Sequence, residues 1–374
     1  MTDRPGAYVH VPYCAHRCSY CSFVAVTGRE TEGRYFEAVV REARVRAGEA
    51  EGPFDTVYFG GGTPSFADPS NLGCVIATLR DVFGVTADAE VTAEANPDDL
   101  DDSRLSALVD LGVNRLSIGV QSLSDVELEP LERRHDAGGA LRALRRAVAL
   151  GVRVSADLMI GIPGQSRESL RRSLETILEV GVGHVSVYLL EIDKAPRLVA
   201  MKVASPALFA GDDEMAARWE EVDDLCAAAG LPRYETSNWA RPGDESRHNL
   251  KYWTRQAVVA LGTSAASFDG KVRRTNSGSV TAYLAAAEEN GTAFVSEEDL
   301  PADSARREGV LLGLRMAAGV ADQSWEAAVA TLPASDQARL DDAFEAGLLV
   351  REQGRVRLTR TGVLLSNEVF SLLL

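Results

Sequence analysis

The chain has 374 residues, long enough at about 150 residues per domain for two or three units with a large buried core, so a disordered tail protein is excluded. Its 39 Lys and Arg against 55 Asp and Glu give a net charge of −16, which repels phosphate backbones and anionic lipid surfaces. Nucleic acid is therefore not an expected partner. No apolar run approaches 18 residues and the first ten residues lack the basic-then-apolar order of a signal peptide, which predicts a cytoplasmic protein without a membrane span.

In chain order, β-rich stretches are predicted at 7–11, 56–59, 90–94, 115–120, 152–159 and 184–190. Helical apolar spacing falls between them, at 34–47, 72–83, 105–111, 140–150 and 169–180. Several of these helices run into glycine, at Gly112, Gly151 and Gly181, where a left-handed cap turns the chain toward the next strand. The repeated alternation predicts an α/β fold, a partial (βα)6 barrel whose ligands sit at the C-terminal strand ends. Beyond residue 200 the alternation weakens, through a helix at 212–229 and a polar turn at 241–245. From residue 303, helices followed by a hairpin across Gln353-Gly354 resemble a winged-helix unit, whose acidic helix at 336–345 argues for packing or partner binding over DNA. The expected division is 1–200 for the barrel, 201–300 for an extension and 301–374 for the C-terminal unit.

Cys14, Cys18 and Cys21 follow the first strand in a Cys-x3-Cys-x2-Cys loop. Three thiolates on one loop suit three irons of a 4Fe-4S cube and leave the fourth iron open; the alternative is a three-Cys zinc site completed by His10 or His16. Cys74 and Cys226 fall on predicted helices without nearby partners and are expected to be small core residues. Gly60-Gly61-Gly62-Thr63-Pro64 ends the second strand with a backbone that a ligand can approach closely.

With these motifs in this order over about residues 7 to 270, the sequence resembles the radical S-adenosylmethionine (SAM) superfamily, in its HemN/HemW branch. The resemblance implies that Cys14, Cys18 and Cys21 hold a 4Fe-4S cluster, that SAM chelates the open iron, and that SAM cleavage yields a 5′-deoxyadenosyl radical. It further implies that Tyr8, Gly61, Gly62, Thr63, Glu94, Gln121, Arg133 and Asp157 contact SAM, with carboxylates accepting from ribose hydroxyls and the ammonium group. The oxygen-independent coproporphyrinogen oxidase of this branch carries a further Cys two residues after the third ligand and a long N-terminal segment. Here Phe23 stands at that position and the cluster begins at Cys14, so oxidase activity is expected to be absent.

In place of those features stands Arg247-His-Asn-Leu-Lys-Tyr-Trp253, similar to the His-Asn-x-x-Tyr-Trp motif of the HemW haem chaperones. The resemblance makes His248 a candidate haem ligand, with Tyr252 and Trp253 offering apolar faces to the macrocycle; the alternative is that His248 and Asn249 tie a loop to the barrel. The expected function is to bind haem and deliver it to apo-haemoproteins, with peripheral contact to membrane haemoproteins and a homodimer as further expectations. The competing readings are a coproporphyrinogen III oxidase, a radical-SAM methyltransferase or other tetrapyrrole-modifying enzyme, and a non-catalytic iron–sulfur protein.

Overall fold

The computed structural model describes residues 3–374. Its centre is a twelve-stranded sheet. Seven neighbouring strands are parallel, in the order Val258–Leu261, Gly6–Val11, Phe54–Gly61, Val85–Ala95, Arg115–Gln121, Arg153–Ile160 and His184–Leu189. The six expected strands are all present. Val258–Leu261 adds a seventh beside the first, and antiparallel strands prolong both edges.

The helices between the strands begin and end as their sequences dictate. Ser166 accepts from the amide of Ser169 to start the helix Arg167–Val180, and Asp136 does the same for Gly139 at the start of Ala137–Ala149. Gly112, Gly151 and Gly181 adopt φ of 96°, 75° and 90°, the left-handed conformation in which a Cβ is disfavoured.

The inner strands alternate. Ala7, Val9 and Val11, Val57 and Phe59, Leu116 and Ile118, and Ala156 and Leu158 belong to one continuous apolar core. The residues between them are polar: Tyr8, His10, Thr56, Tyr58, Glu94, Arg115, Ser117, Ser155, Asp157 and His184. Parallel strands covered by helices usually read as apolar on both faces. Here the face turned away from the apolar core carries polar and ionisable groups, so the barrel lumen is a site and not a packed core.

A second core, including Val310, Leu314, Val320, Trp325, Leu349, Val356 and Phe370, lies in the C-terminal part. A three-stranded antiparallel sheet, in the order Val320–Ala321, Arg355–Leu358, Leu349–Glu352, packs there among helices. The turn of its hairpin has Gln353 and Gly354 both at positive φ, 53° and 73°, which matches the twist of the paired strands. Among the described residues no helix is long and apolar enough to cross a membrane.

Candidate radical-SAM site

The cysteine loop leaves the first strand and is held from two sides. Gly62 and Thr63 donate backbone hydrogen bonds to the carbonyls of Val11 and Tyr13, at 2.8 and 2.9 Å. Ser19 donates from its amide to Leu131 and from its hydroxyl to Pro130, at 3.3 and 2.8 Å. The glycine run makes the first contact feasible. A Cβ on Gly61 (φ 108°) would meet the His10 ring at 2.4 Å, and one on Gly62 would meet the Val11 carbonyl oxygen at 2.7 Å. These glycines therefore let the end of the strand Phe54–Gly61 brace the cysteine loop.

The sulfurs are supplied with donors. Thr63 Oγ1 lies 3.3 Å from Cys14 Sγ, and Arg133 Nη1 lies 3.5 Å from Cys18 Sγ and 3.4 Å from the Tyr20 hydroxyl. Burial pushes the Cys14 thiol up to about 11 and raises Cys21 as well, so a bound cationic group is what would favour their thiolates. The zinc alternative meets a different geometry. His10 is engaged through both ring nitrogens, with the Val24 carbonyl at 2.8 Å and the Tyr8 hydroxyl at 3.2 Å, and His16 is exposed. Among the described residues no three His, Cys, Asp or Glu side chains are gathered around a position for one ion.

Arg133 gathers the neighbouring groups. Its Nη2 donates to the Asn96 side-chain carbonyl at 2.6 Å and to the Gly119 backbone carbonyl at 2.7 Å, and Asn96 in turn donates to Thr63 Oγ1 at 3.0 Å. Its Nε is buried without a partner, an orphan donor of the kind a bound anionic group would satisfy. Two non-glycine residues at positive φ lie next to this centre: Glu132 at 56°, directly before Arg133, and Gln121 at 65°, where a bulge interrupts pairing with the next strand. Such backbone conformations cost energy and redirect side chains at functional sites.

Glu94 Oε1 accepts from the Tyr58 hydroxyl and Oε2 from the Gly61 amide, both at 2.9 Å. Burial is the main cause that pushes its carboxyl up to about 7. Asp157 lies in the middle of its strand and not at its end, accepting from Ser117 (2.9 Å) and Ser155 (2.9 Å); burial raises its pKa too. Tyr8 packs against Tyr58 with ring centroids 6.1 Å apart. Cys14, Thr63, Asn96 and Arg133 are thus joined by one run of hydrogen bonds, and Glu94 reaches the Gly61 amide two residues before Thr63.

The helix Arg247–Trp253 lies on the opposite side of the lumen, toward the strand starts. Ser246 caps it by accepting from the Asn249 amide, and Glu90 takes the amides of Arg247 and His248. His248 is buried, with Nδ1 2.9 Å from Thr56 Oγ1 and Nε2 3.0 Å from the Tyr252 hydroxyl. Its ring stacks on Tyr58 at 5.0 Å, and burial lowers its pKa to about 3, so it is a neutral imidazole with both nitrogens engaged. In this arrangement it ties the helix to the barrel. Tyr252 is half-exposed and Trp253 half-buried.

Cys226 is buried as expected, but Cys74 is exposed. Cys74 lies on the polar side of the helix Pro69–Val82, whose buried side is formed by Leu72, Val75, Ile76 and Leu79. The sequence reading missed Asn96, Tyr58 and Arg115. Their signal is a polar residue at every second position of strands expected to be apolar on both faces.

Residues 8–177 match the radical SAM superfamily model, and residues 300–365 match the HemN C-terminal domain. The chain is 36% identical, over its full length and 96% of the relative, to heme chaperone HemW of Mycobacterium tuberculosis. It is 32% identical to heme chaperone HemW of Bacillus subtilis over 98% of both chains. Radical S-adenosyl methionine domain-containing protein 1, mitochondrial, of Bos taurus is 34% identical over all of this chain and 86% of that one. The solved structure of coproporphyrinogen III oxidase (HemN) from Escherichia coli shares the fold with a TM-score of 0.85, at 23% identity, over 99% of this chain and 90% of that one. The fold and the cysteine loop are those of a radical SAM protein, and the chain belongs to that superfamily and, within it, to the HemW family. Membership implies a 4Fe-4S cluster and SAM.

Proposed function

We propose that this chain is a cytoplasmic haem chaperone, which binds haem and passes it to apo-haemoproteins. Full-length similarity to proteins named heme chaperone HemW carries the reading. Phe23, 65% exposed beside the cluster loop, supports it, because the oxidase branch has a further Cys at that position. Decarboxylation of coproporphyrinogen is the competing reading, and the shared HemN fold is what favours it.

Cys14, Cys18 and Cys21 would hold the 4Fe-4S cluster. Tyr8, Gly61, Gly62, Thr63, Glu94, Gln121, Arg133 and Asp157 would hold SAM. Together these cofactors supply reductive cleavage of a sulfonium carbon–sulfur bond. The chain's own contribution is placement. Thr63 and Arg133 direct donors at two sulfurs, while Asn96 fixes Arg133 relative to Thr63. Glu94, once ionised, accepts hydrogen bonds from a cationic or hydroxylated ligand.

His248, Tyr252 and Trp253 are the haem-binding candidates on the motif helix. Iron ligation by His248 Nε2 requires the Tyr252 hydroxyl, 3.0 Å away, to leave it. Haem and apo-haemoproteins are the proposed partners, with a homodimer and peripheral contact to membrane haemoproteins as further parts of the reading. The test is haem titration of the anaerobically reconstituted protein, paired with an assay on coproporphyrinogen III. Haem binding without decarboxylation supports the reading, and decarboxylation with SAM consumption replaces it with the oxidase.

A further inference from the structure

The motif helix ends at a cavity of about 620 Å³ whose lining includes neither the cluster residues, the SAM residues nor His248. Trp253, Thr254 and Arg255 form one side, and the C-terminal unit forms the other. The volume falls within the range of about 300–1,000 Å³ typical of sites for small organic ligands.

Three observations define what would fit there. First, the helix Ala302–Leu314 turns Ala305, Gly309 and Gly313 toward the cavity at intervals of four residues, giving a wall almost without side chains. A Cβ on Gly309 would find nothing nearer than Arg255 Cδ at 3.6 Å, so the wall is open at Gly309, whereas at Gly313 a Cβ would meet Val320 Cγ1 and the wall is closed by that side chain. Met316 and Val320 continue it with apolar atoms.

Second, the charged residues of the lining are Arg255, Arg306 and Arg355, with no carboxylate among them, in a chain where acidic residues outnumber basic ones 55 to 39. Arg255 pairs with Glu308 and Arg306 with Asp303. Arg355 is different. Its Nε and Nη2 donate to the carbonyls of Ala318 and Gly319, at 2.7 and 2.6 Å, and among the described residues no carboxylate lies within ion-pair distance of it. Two carbonyls thus hold its guanidinium at the exposed rim of the cavity without a carboxylate partner.

Third, the indole N–H of Trp253 is buried without a hydrogen-bond partner. Among the described residues nothing accepts from it, and orphaned donors of this kind are uncommon in folded proteins.

We propose that this cavity, at the junction of the motif helix and the C-terminal unit, is the seat of haem. The macrocycle would lie against the open wall at Gly309, bordered by Val320 and Met316, with a propionate at Arg355. A flat apolar ring bearing two carboxylates is the ligand chemistry that this combination of an apolar wall and a fixed, unpaired guanidinium recognises. The inference rests on the haem-chaperone reading and deepens it. It places haem in contact with Trp253 without breaking the buried bonds of His248, and it gives the C-terminal unit a direct share in the cargo.

The experiment is a haem titration of the full-length, anaerobically reconstituted protein, followed by the Soret band, for wild type, Gly309→Trp, Arg355→Gln and His248→Gln. Gly309→Trp fills the cavity and should weaken haem binding at least about tenfold, with the cluster absorption unchanged. Arg355→Gln should weaken it about tenfold or more, as loss of a charge-assisted contact does. With haem dimethyl ester, which lacks the carboxylates, wild type and Arg355→Gln should bind alike. Should Gly309→Trp fail to fold, the paired Arg355→Gln titrations still decide the question. Wild-type affinity in both Gly309→Trp and Arg355→Gln, with loss in His248→Gln, overturns the cavity and leaves the chaperone reading standing with haem on the motif histidine. Absence of haem binding by the wild type overturns both.

Discussion

Arg133 Nη1 stands 3.5 Å from the sulfur of Cys18, a residue 115 positions earlier in the chain. The same guanidinium holds Asn96 and the Gly119 carbonyl, so the cysteine loop and the strand Arg115–Gln121 share one buried cation. Removing it should act on two ligands at once. Arg133→Ala is expected to lower SAM affinity roughly ten- to hundredfold, from loss of a charge-assisted contact of about 1.5–3 kcal/mol. It should also speed loss of iron from the reconstituted protein. Unchanged SAM affinity and unchanged iron retention would contradict this double role.

The cysteines separate cleanly by position. Cys14→Ala, Cys18→Ala and Cys21→Ala should each abolish the iron–sulfur absorption of anaerobically reconstituted protein, which should otherwise hold about four irons and four sulfides. Cys226→Ala and Cys74→Ala should retain it. They should differ from each other in stability. Cys226 is buried in the main core and its truncation leaves a small cavity, whereas Cys74 is exposed and should change the melting temperature little.

Glu94 predicts a pH dependence with a defined sign. Burial raises its carboxyl to about 7, so below that pH the folded protein keeps it neutral. A ligand cation favours the ionised form, and SAM binding should therefore release a proton and strengthen as pH rises. The expected gain from pH 6 to pH 8 is about tenfold in affinity. Glu94→Gln should flatten the profile. An equally steep profile in that variant would assign the proton elsewhere.

His248 gives a dependence of the same sign, read in stability. Its folded pKa of about 3 lies below the usual value of 6.5, so the neutral ring contributes stability above pH 6.5 that is lost as pH falls toward 3. At pH 5 the loss is about 2 kcal/mol. His248→Gln, which can still bond Thr56, should lose less stability than wild type between pH 7 and pH 5. Melting temperatures at the two pH values check this, and an identical acid-induced drop in both proteins would contradict it.

Much of this arrangement is legible in the sequence, and the rest is hidden for physical reasons. The strands at 7–11, 115–120 and 152–159 announce themselves by β-branched runs, and Gly112, Gly151 and Gly181 mark the helix ends by the one conformation that favours glycine. Val258–Leu261 does not, because four residues carry little periodicity and its partner, Gly6–Val11, lies about 250 positions away. Asn96 was silent because its role depends on two bonds, to Thr63 and Arg133, that exist only once three strand ends meet. His248 could be read from its motif as a candidate ligand, but its engagement by Thr56 and Tyr252 is a fact of packing. Cys74 shows the converse: a residue type that is usually buried sits on the solvent side because helical periodicity puts it there.

The central claim, that the chain carries haem and does not decarboxylate coproporphyrinogen, is tested most directly by one anaerobic experiment. The reconstituted, reduced protein with SAM is given haem in one half and coproporphyrinogen III in the other, and the products are separated. The account predicts a haem complex that yields its haem to an added apo-haemoprotein, with no protoporphyrinogen formed. Decarboxylated product with matching SAM consumption, and no transferable haem, would contradict it.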